Sequence, residues 1–107
     1  MLTADMKKGS AELLVMSMIE DRARHGYDIA RLIEERSQSA IVVNSATLYP
    51  TLHALERQGL IRGRWVAVAG DRRRRYYSIT AAGRRMLADQ RGRWQQFFAV
   101  LSRVARL

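Results

Sequence analysis

The sequence predicts a mainly α fold with one small β-hairpin, and three observations carry that prediction. Apolar residues recur at helical spacing around Leu13 to Ile19, Ile29 to Ile33, Leu48 to Leu55 and Leu87 to Val104. Between the last two stretches, Ile61 to Ala69 and Arg75 to Thr80 read as two strands joined by Gly70-Asp71 and a run of arginines. A short helix with a polar outer face thus leads straight into an arginine-tipped hairpin, which is the layout of a winged helix-turn-helix. The long final helix is expected to follow residues 1–80 as a separate dimerisation element over 81–107, within one compact unit.

The elements follow in order. Met1 to Gly9 is expected as a loose arm. Ser10 is expected to cap a helix reaching about Arg24. Its apolar residues (Ala11, Leu13, Leu14, Val15, Met16, Met18, Ile19) nearly surround the axis, so it should be buried on more than one side. In a chain this small, a second subunit is expected to cover part of it. His25-Gly26 breaks the chain, and a second helix runs from about Tyr27 to Arg36. Ile29, Leu32 and Ile33 form its stripe, while Asp28, Arg31, Glu34 and Glu35 face water. Ser37-Gln38-Ser39 is a turn, and Ala40 to Val43 is expected as a small strand.

The third helix begins somewhere between Asn44 and Thr47. Pro50 lacks an N–H and fits best in a first turn, which favours a cap nearer Thr47 than Ser45. Leu48, Leu52 and Leu55 share a core-facing side; Ala46, Tyr49, Pro50, His53 and Arg57 point roughly the opposite way. Gly59 stands where a helix ends in a left-handed residue. Arg62 and Arg64 share one face of the first hairpin strand, and Tyr77 and Ile79 one face of the second. Trp65 is expected to cover the hairpin base. Thr80 caps a last helix that reaches toward Leu107, roughly 40 Å long at about 1.5 Å per residue. That exceeds what so small a domain covers.

Composition sets the class. A chain of 107 residues suits one domain, and 48% hydrophobic with 27% charged residues is globular. The net charge of +9 attracts polyanions, nucleic acid first and anionic membrane second. The absence of cysteine excludes disulfides, thiolate catalysis and cysteine-ligated metal centres. Leu13 to Ile19, with Ser17 inside, is too short to span a bilayer. Lys7-Lys8 ahead of it loosely mimics a signal peptide, but Glu20, Asp21 and Arg22 follow with no small-residue cleavage site. A cytoplasmic protein is expected. The two histidines, His25 and His53, sit at different helix ends, and the glycines form no phosphate loop. No enzyme, metal or cofactor is expected.

The outer face of the third helix offers Ser45, Thr47, Tyr49 and His53, whose hydroxyls and imidazole can bond to phosphates or base edges. An ordinary solvated face is the bland alternative; an outward aromatic beside a rigid proline speaks against it. Arg72, Arg73, Arg74 and Arg75 repel one another, and double-stranded DNA would relieve that repulsion while releasing counterions. Alone, such a run is as often a solvated tip; beside a helix-turn-helix it reads as a wing. Trp94, with Phe97 and Phe98 one turn on, either packs as core between paired helices or flanks a slot for a flat hydrophobic effector. Leu14, Met18, Leu87, Trp94, Phe98, Leu101 and Val104 are the candidate dimer contacts.

Leu48-Tyr49-Pro50-x-Leu52-x-x-Leu55-Glu56-x-x-Gly59-Leu60-Ile61, then Arg75-Tyr76-Tyr77-x-Ile79-Thr80-x-x-Gly83, together with His25-Gly26-Tyr27-x-Ile29, resembles the PadR family of bacterial transcription regulators. The resemblance runs from about Ala11 onward. It implies a winged helix-turn-helix, a homodimer in which the C-terminal helix packs on the partner's first helix, and an inverted-repeat operator. It also implies repression relieved by a small phenolic, drug-like or other effector. The single short C-terminal helix is similar to the compact subfamily of multidrug-responsive repressors, in which Trp94 would match a ligand-stacking tryptophan. Two positions depart from the family pattern: Ala46 stands where glycine is frequent, and the wing has Gly70-Asp71-Arg72 to Arg75 where Gly-x-Pro-Arg-Lys is frequent. The alternative from another class is a sequence-nonspecific architectural nucleic-acid-binding protein.

Overall fold

The computed structural model describes residues 4–107, with side chains from Gly9 onward. The elements are α1 (Ala4–Met18), β1 (Arg24–His25), α2 (Gly26–Arg36), α3 (Ser45–Arg57), β2 (Ile61–Ala67), β3 (Arg73–Ile79) and α4 (Ala81–Ala105). The strands form one antiparallel sheet in the order β1-β3-β2. Mainly helical with a hairpin wing, this is the expected fold class.

α1 departs from expectation at both ends. The loose arm over 1–9 falls partly outside the described residues, and from Ala4 the backbone is already helical, so Ser10 is interior and not a cap. The helix stops at Met18 instead of Arg24 because Arg24 folds back on it. The Arg24 side chain is buried; its Nε donates to the Met18 carbonyl at 2.7 Å, and its guanidinium pairs with Asp21 at 3.2 Å and Asp28 at 3.0 Å. One buried cation therefore closes α1 and ties it to the first turn of α2. A buried arginine is stable only when its donors are matched in this way.

The expected strand at Ala40 to Val43 is absent; the segment is irregular. Gln38 and Ser39 turn the chain with positive φ, and Ser37 Oγ accepts from the Ile41 amide at 3.0 Å. That bond takes a donor a strand partner would need. The third strand is Arg24–His25, paired to Tyr77 and Tyr76 of β3.

α3 starts at the early end of the expected range, not at the later cap that Pro50 favoured. Asn44 is the cap, its side chain accepting from the Thr47 amide at 3.0 Å. Pro50 consequently sits inside the helix, past the first turn. Its missing N–H leaves the Ala46 carbonyl without its helical partner, and Ala46 is exposed, where water can serve. Gly59 ends α3 as expected, at φ 72°, with the Leu60 amide reaching back to the Leu55 carbonyl at 3.0 Å.

The core gathers Met16 and Ile19 of α1, Ile29 and Ile33 of α2, Leu48, Leu52 and Leu55 of α3, Ile61 and Tyr77 of the sheet, and Leu87 of α4. Each such side chain removed from water contributes about 1.5–3 kcal/mol. The near-circular apolar surface of α1 is met largely inside the chain. Met18 and Leu87, expected at a dimer contact, lie in this core at 6% and 1% exposure, and Leu14 packs partly against it. Trp65 also differs from expectation: it is 60% exposed and does not cover the hairpin base.

The hairpin and α4 share a tight joint. Thr80 caps α4, its Oγ1 accepting from the Gly83 amide at 3.0 Å and lying 2.7 Å from the Gly59 carbonyl, to which it can donate. Gly83 is packed so closely that a Cβ would strike the Leu60 carbonyl and lie 2.7 Å from Ile79 Cγ1. Gly92, further along α4, has nothing within 4 Å of such a Cβ. Gly83→Ala should therefore cost about 1–3 kcal/mol by overpacking, while Gly92→Ala should gain about 0.5–1 kcal/mol from helix propensity. Urea unfolding of the two variants checks both signs.

Candidate nucleic-acid interface

α3 has two unlike faces. Leu48, Leu52 and Leu55 are buried; Thr47, Tyr49 and His53 are exposed away from them, and Ser45, three residues before Leu48, is exposed at the edge of the leucine stripe. Tyr49 is 46% exposed, its ring lying against the start of α2. A Cβ at Gly26 would lie 3.4 Å from that ring, an ordinary van der Waals contact, so the ring packs against the start of α2 without requiring glycine there. A groove of about 330 Å³ opens between α2 and α3, lined by Tyr27, Arg31, Val42, Ser45 and Tyr49 among others. Tyr27 is 71% exposed. It was not among the expected contacts, although an outward tyrosine right after a Gly helix start is a readable signal.

The arginine run does not form the hairpin tip as a block. The turn is Val68 to Arg72, closed by the Val68 amide on the Arg72 carbonyl at 2.9 Å, and Arg73, Arg74 and Arg75 already belong to β3. Strand alternation then sends Arg73 and Arg75 to one face and Arg74 to the other. Arg72, Arg73 and Arg74 are exposed; Arg75 is partly buried, 2.9 Å from Glu56 of α3. The run thus contributes two open guanidinium groups, Arg72 and Arg73, an exposed Arg74 that meets His25, and an Arg75 engaged with Glu56. Arg62 and Arg64 of β2 add exposed positive charge on the hairpin's outer face.

Arg74 meets His25 across the sheet, Nη1 to Nε2 at 2.9 Å, while His25 Nδ1 accepts from the Asp28 amide at 3.2 Å and caps α2. Both contacts ask an imidazole nitrogen to accept, and a neutral ring offers only one acceptor. Arg74 and the Asp28 amide therefore compete for the ring's single acceptor, and the tautomer decides which bond forms. On α4, Trp94, Phe97 and Phe98 do come together, with ring centroids 5.8–6.2 Å apart. Phe97 and Phe98 are about half exposed, and Leu101 and Val104 follow at 37% and 79%. Among the described residues, no helix is long and apolar enough to cross a membrane, and no His, Cys, Asp and Glu group is arranged to hold a metal.

An amphipathic α3 seated between α2 and a positively charged hairpin is the architecture shared with solved regulators. The PadR-like transcriptional regulator family matches residues 15–89. The chain belongs to the PadR-like family of transcriptional regulators. The transcriptional regulator Rv3488 of Mycobacterium tuberculosis is 37% identical to this PadR-like chain over 87 residues, 81% of this chain and 78% of that protein. A PadR family regulator from Eggerthella lenta superposes with a TM-score of 0.82 at 26% identity, covering 94% of this chain and 86% of that one. A transcriptional regulator from Clostridium thermocellum has the same fold, with a TM-score of 0.87 over 96% and 97% of the two chains at 23% identity. As a PadR-like protein, this chain is a DNA-binding transcriptional regulator, not an enzyme.

Burial, and then the Arg74 charge, push the His25 imidazole below its ordinary 6.5, against a smaller opposing pull from Asp28. Folding therefore favours the neutral ring. As pH falls the unfolded chain takes up the proton first, so this share of stability is present above 6.5 and lost as pH drops through the lower folded value. Urea midpoints should decline from about pH 7.5 to about pH 5. His25→Asn keeps a capping side chain and should flatten that decline.

Proposed function

We propose that this PadR-like regulator binds an inverted-repeat operator as a homodimer and represses transcription in the cytoplasm. The observation that carries the reading is the split character of α3: a leucine face locked into the core and an exposed polar face of Ser45, Thr47, Tyr49 and His53. A helix fixed in this way can present hydroxyls and an imidazole to base edges in a major groove. Arg72, Arg73 and Arg74 are the candidate wing contacts with flanking phosphates or the minor groove, and Arg75, engaged with Glu56, is the least available of the run. Residues 1–80 form the DNA-binding part and 81–107 the dimerisation helix.

The exposed apolar positions of α4 support the homodimer. Phe98, Leu101 and Val104 lie at successive helical turns on a helix that runs well past the core. Trp94 and Phe98, with Leu101 and Val104, are the proposed contacts, whereas Met18 and Leu87 are already occupied within their own chain. The Trp94, Phe97 and Phe98 cluster is the proposed site for a flat hydrophobic effector, which would act by binding one spacing of the two DNA-reading helices better than another.

Affinity for an inverted repeat from the regulator's own promoter should exceed affinity for random duplex by about a thousandfold or more at fixed salt. A ratio near one would replace this reading with the sequence-nonspecific architectural one. Arg73→Ala with Arg74→Ala should reduce the slope of log affinity against log salt by about two. Planar aromatic compounds should quench tryptophan fluorescence in the parent and not in Trp94→Ala, in which Trp65 still reports. Equal quenching in both would reduce Trp94 to packing.

A further inference from the structure

Arg75 differs from the rest of the arginine run in what surrounds it. Its Nη2 donates to Glu56 Oε2 at 2.9 Å, and the same oxygen accepts from the Gly63 amide at 3.3 Å. Glu56 lies in the last turn of α3; Gly63 lies on β2, the open edge of the sheet. The Arg75 guanidinium also lies over the Trp65 ring at 5.5 Å and the Tyr77 ring at 5.9 Å. Trp65 and Tyr77 share its face of the hairpin, and Trp65 is directly opposite Arg75 in the β2–β3 register. Space for this arrangement comes from a missing side chain: a Cβ on Gly63 would lie 2.5 Å from Arg75 Nε and 2.8 Å from its Cζ.

Three consequences follow from elementary electrostatics. A guanidinium paired with a carboxylate, lying over two rings and only partly exposed is held in place with its charge largely compensated, so a phosphate gains less from it than from an open arginine. Glu56 without its partner would place a negative charge at the C-terminal end of α3, where the helix dipole disfavours it and DNA phosphates would repel it. The pair also joins α3 to the hairpin, which the chain connects through Gln58, Gly59 and Leu60, so it helps set where the hairpin stands relative to the exposed face of α3.

The geometry points to Arg75 as a positioning residue and not a phosphate contact: paired with Glu56 in the space left by Gly63, it fixes the wing relative to the DNA-reading helix. This rests on the DNA-binding reading given above and assigns one arginine of the run a different task. The two roles give opposite signs for Glu56→Gln. If Arg75 were a phosphate ligand restrained by Glu56, removing the negative charge would release it and tighten binding. If the pair positions the wing, the same change weakens binding to a specific site.

The test uses the full chain with two probes: the inverted repeat that the wild-type protein enriches from a random duplex library, and a scrambled duplex of equal length. Affinities are measured across a salt series. Arg75→Gln and Glu56→Gln should each lose about tenfold or more on the enriched site. Each should stay within about twofold on scrambled DNA, with the salt slope unchanged. Gly63→Ala keeps both charges but displaces the guanidinium, and should show the same loss. The swap of Glu56→Arg with Arg75→Glu should recover part of it. A slope reduced by about one in Arg75→Gln on both probes, or tighter binding by Glu56→Gln, overturns the assignment. Cooperative thermal melts identify variants that fold, and the Gly63→Ala result stands if either charge variant does not. If the wild-type protein enriches nothing, the regulator reading itself fails, while the Arg75→Gln slope on scrambled DNA still reports whether this arginine touches phosphate.

Discussion

Everything in this molecule depends on the burial of one face of α3. Leu52 and Leu55 are fully enclosed by α1, α2 and the sheet, and Leu48 nearly so. Their contacts fix the helix in rotation as well as in position, because apolar side chains one turn apart leave no alternative way to seat it. That rotational lock turns the polar side from a solvated surface into a defined array. The neighbouring caps serve the same end: Asn44 starts the helix, and Gly59 stops it with the chain already aimed into β2.

Much of this could be read from the chain. The leucine spacing of α3, its end at Gly59, the hairpin and the Thr80 cap are local signals, and local signals survive without knowledge of the fold. What could not be read depended on partners distant in sequence. β1 is only two residues, recognisable solely through its pairing with β3. Arg24 ends α1 by folding back six residues, something periodicity cannot express. Pro50 suggested a later cap because the rule for proline concerns bonded amides, whereas an exposed carbonyl can be satisfied by water.

The arginine run shows the limit for a candidate site. A string of identical residues has no alternation, so nothing in it marks where turn gives way to strand. The structure divides it: Arg72 in the turn, Arg73 and Arg74 exposed on opposite faces of β3, and Arg75 drawn against Glu56 nineteen positions away. The exposed face of α3 was legible because its alternation with leucine is visible at short range. The engagement of Arg75 was not, since neither residue type nor spacing distinguishes it from its neighbours.

The joint at Thr80 and Gly83 has a mechanical consequence. α3 ends and α4 begins at the same point, held by Thr80 against the Gly59 and Leu60 carbonyls with no side chain between Gly83 and the backbone it touches. α4 is 25 residues long, and a bidentate Arg91–Glu20 contact at 2.9 Å braces it against the end of α1 near its middle. It is therefore a rod clamped at one end and braced part-way along. Beyond the brace, the displacement produced by a given tilt grows in proportion to length, so the positions of Leu101 and Val104 depend on both fixings, and the clamp sits where α3 ends.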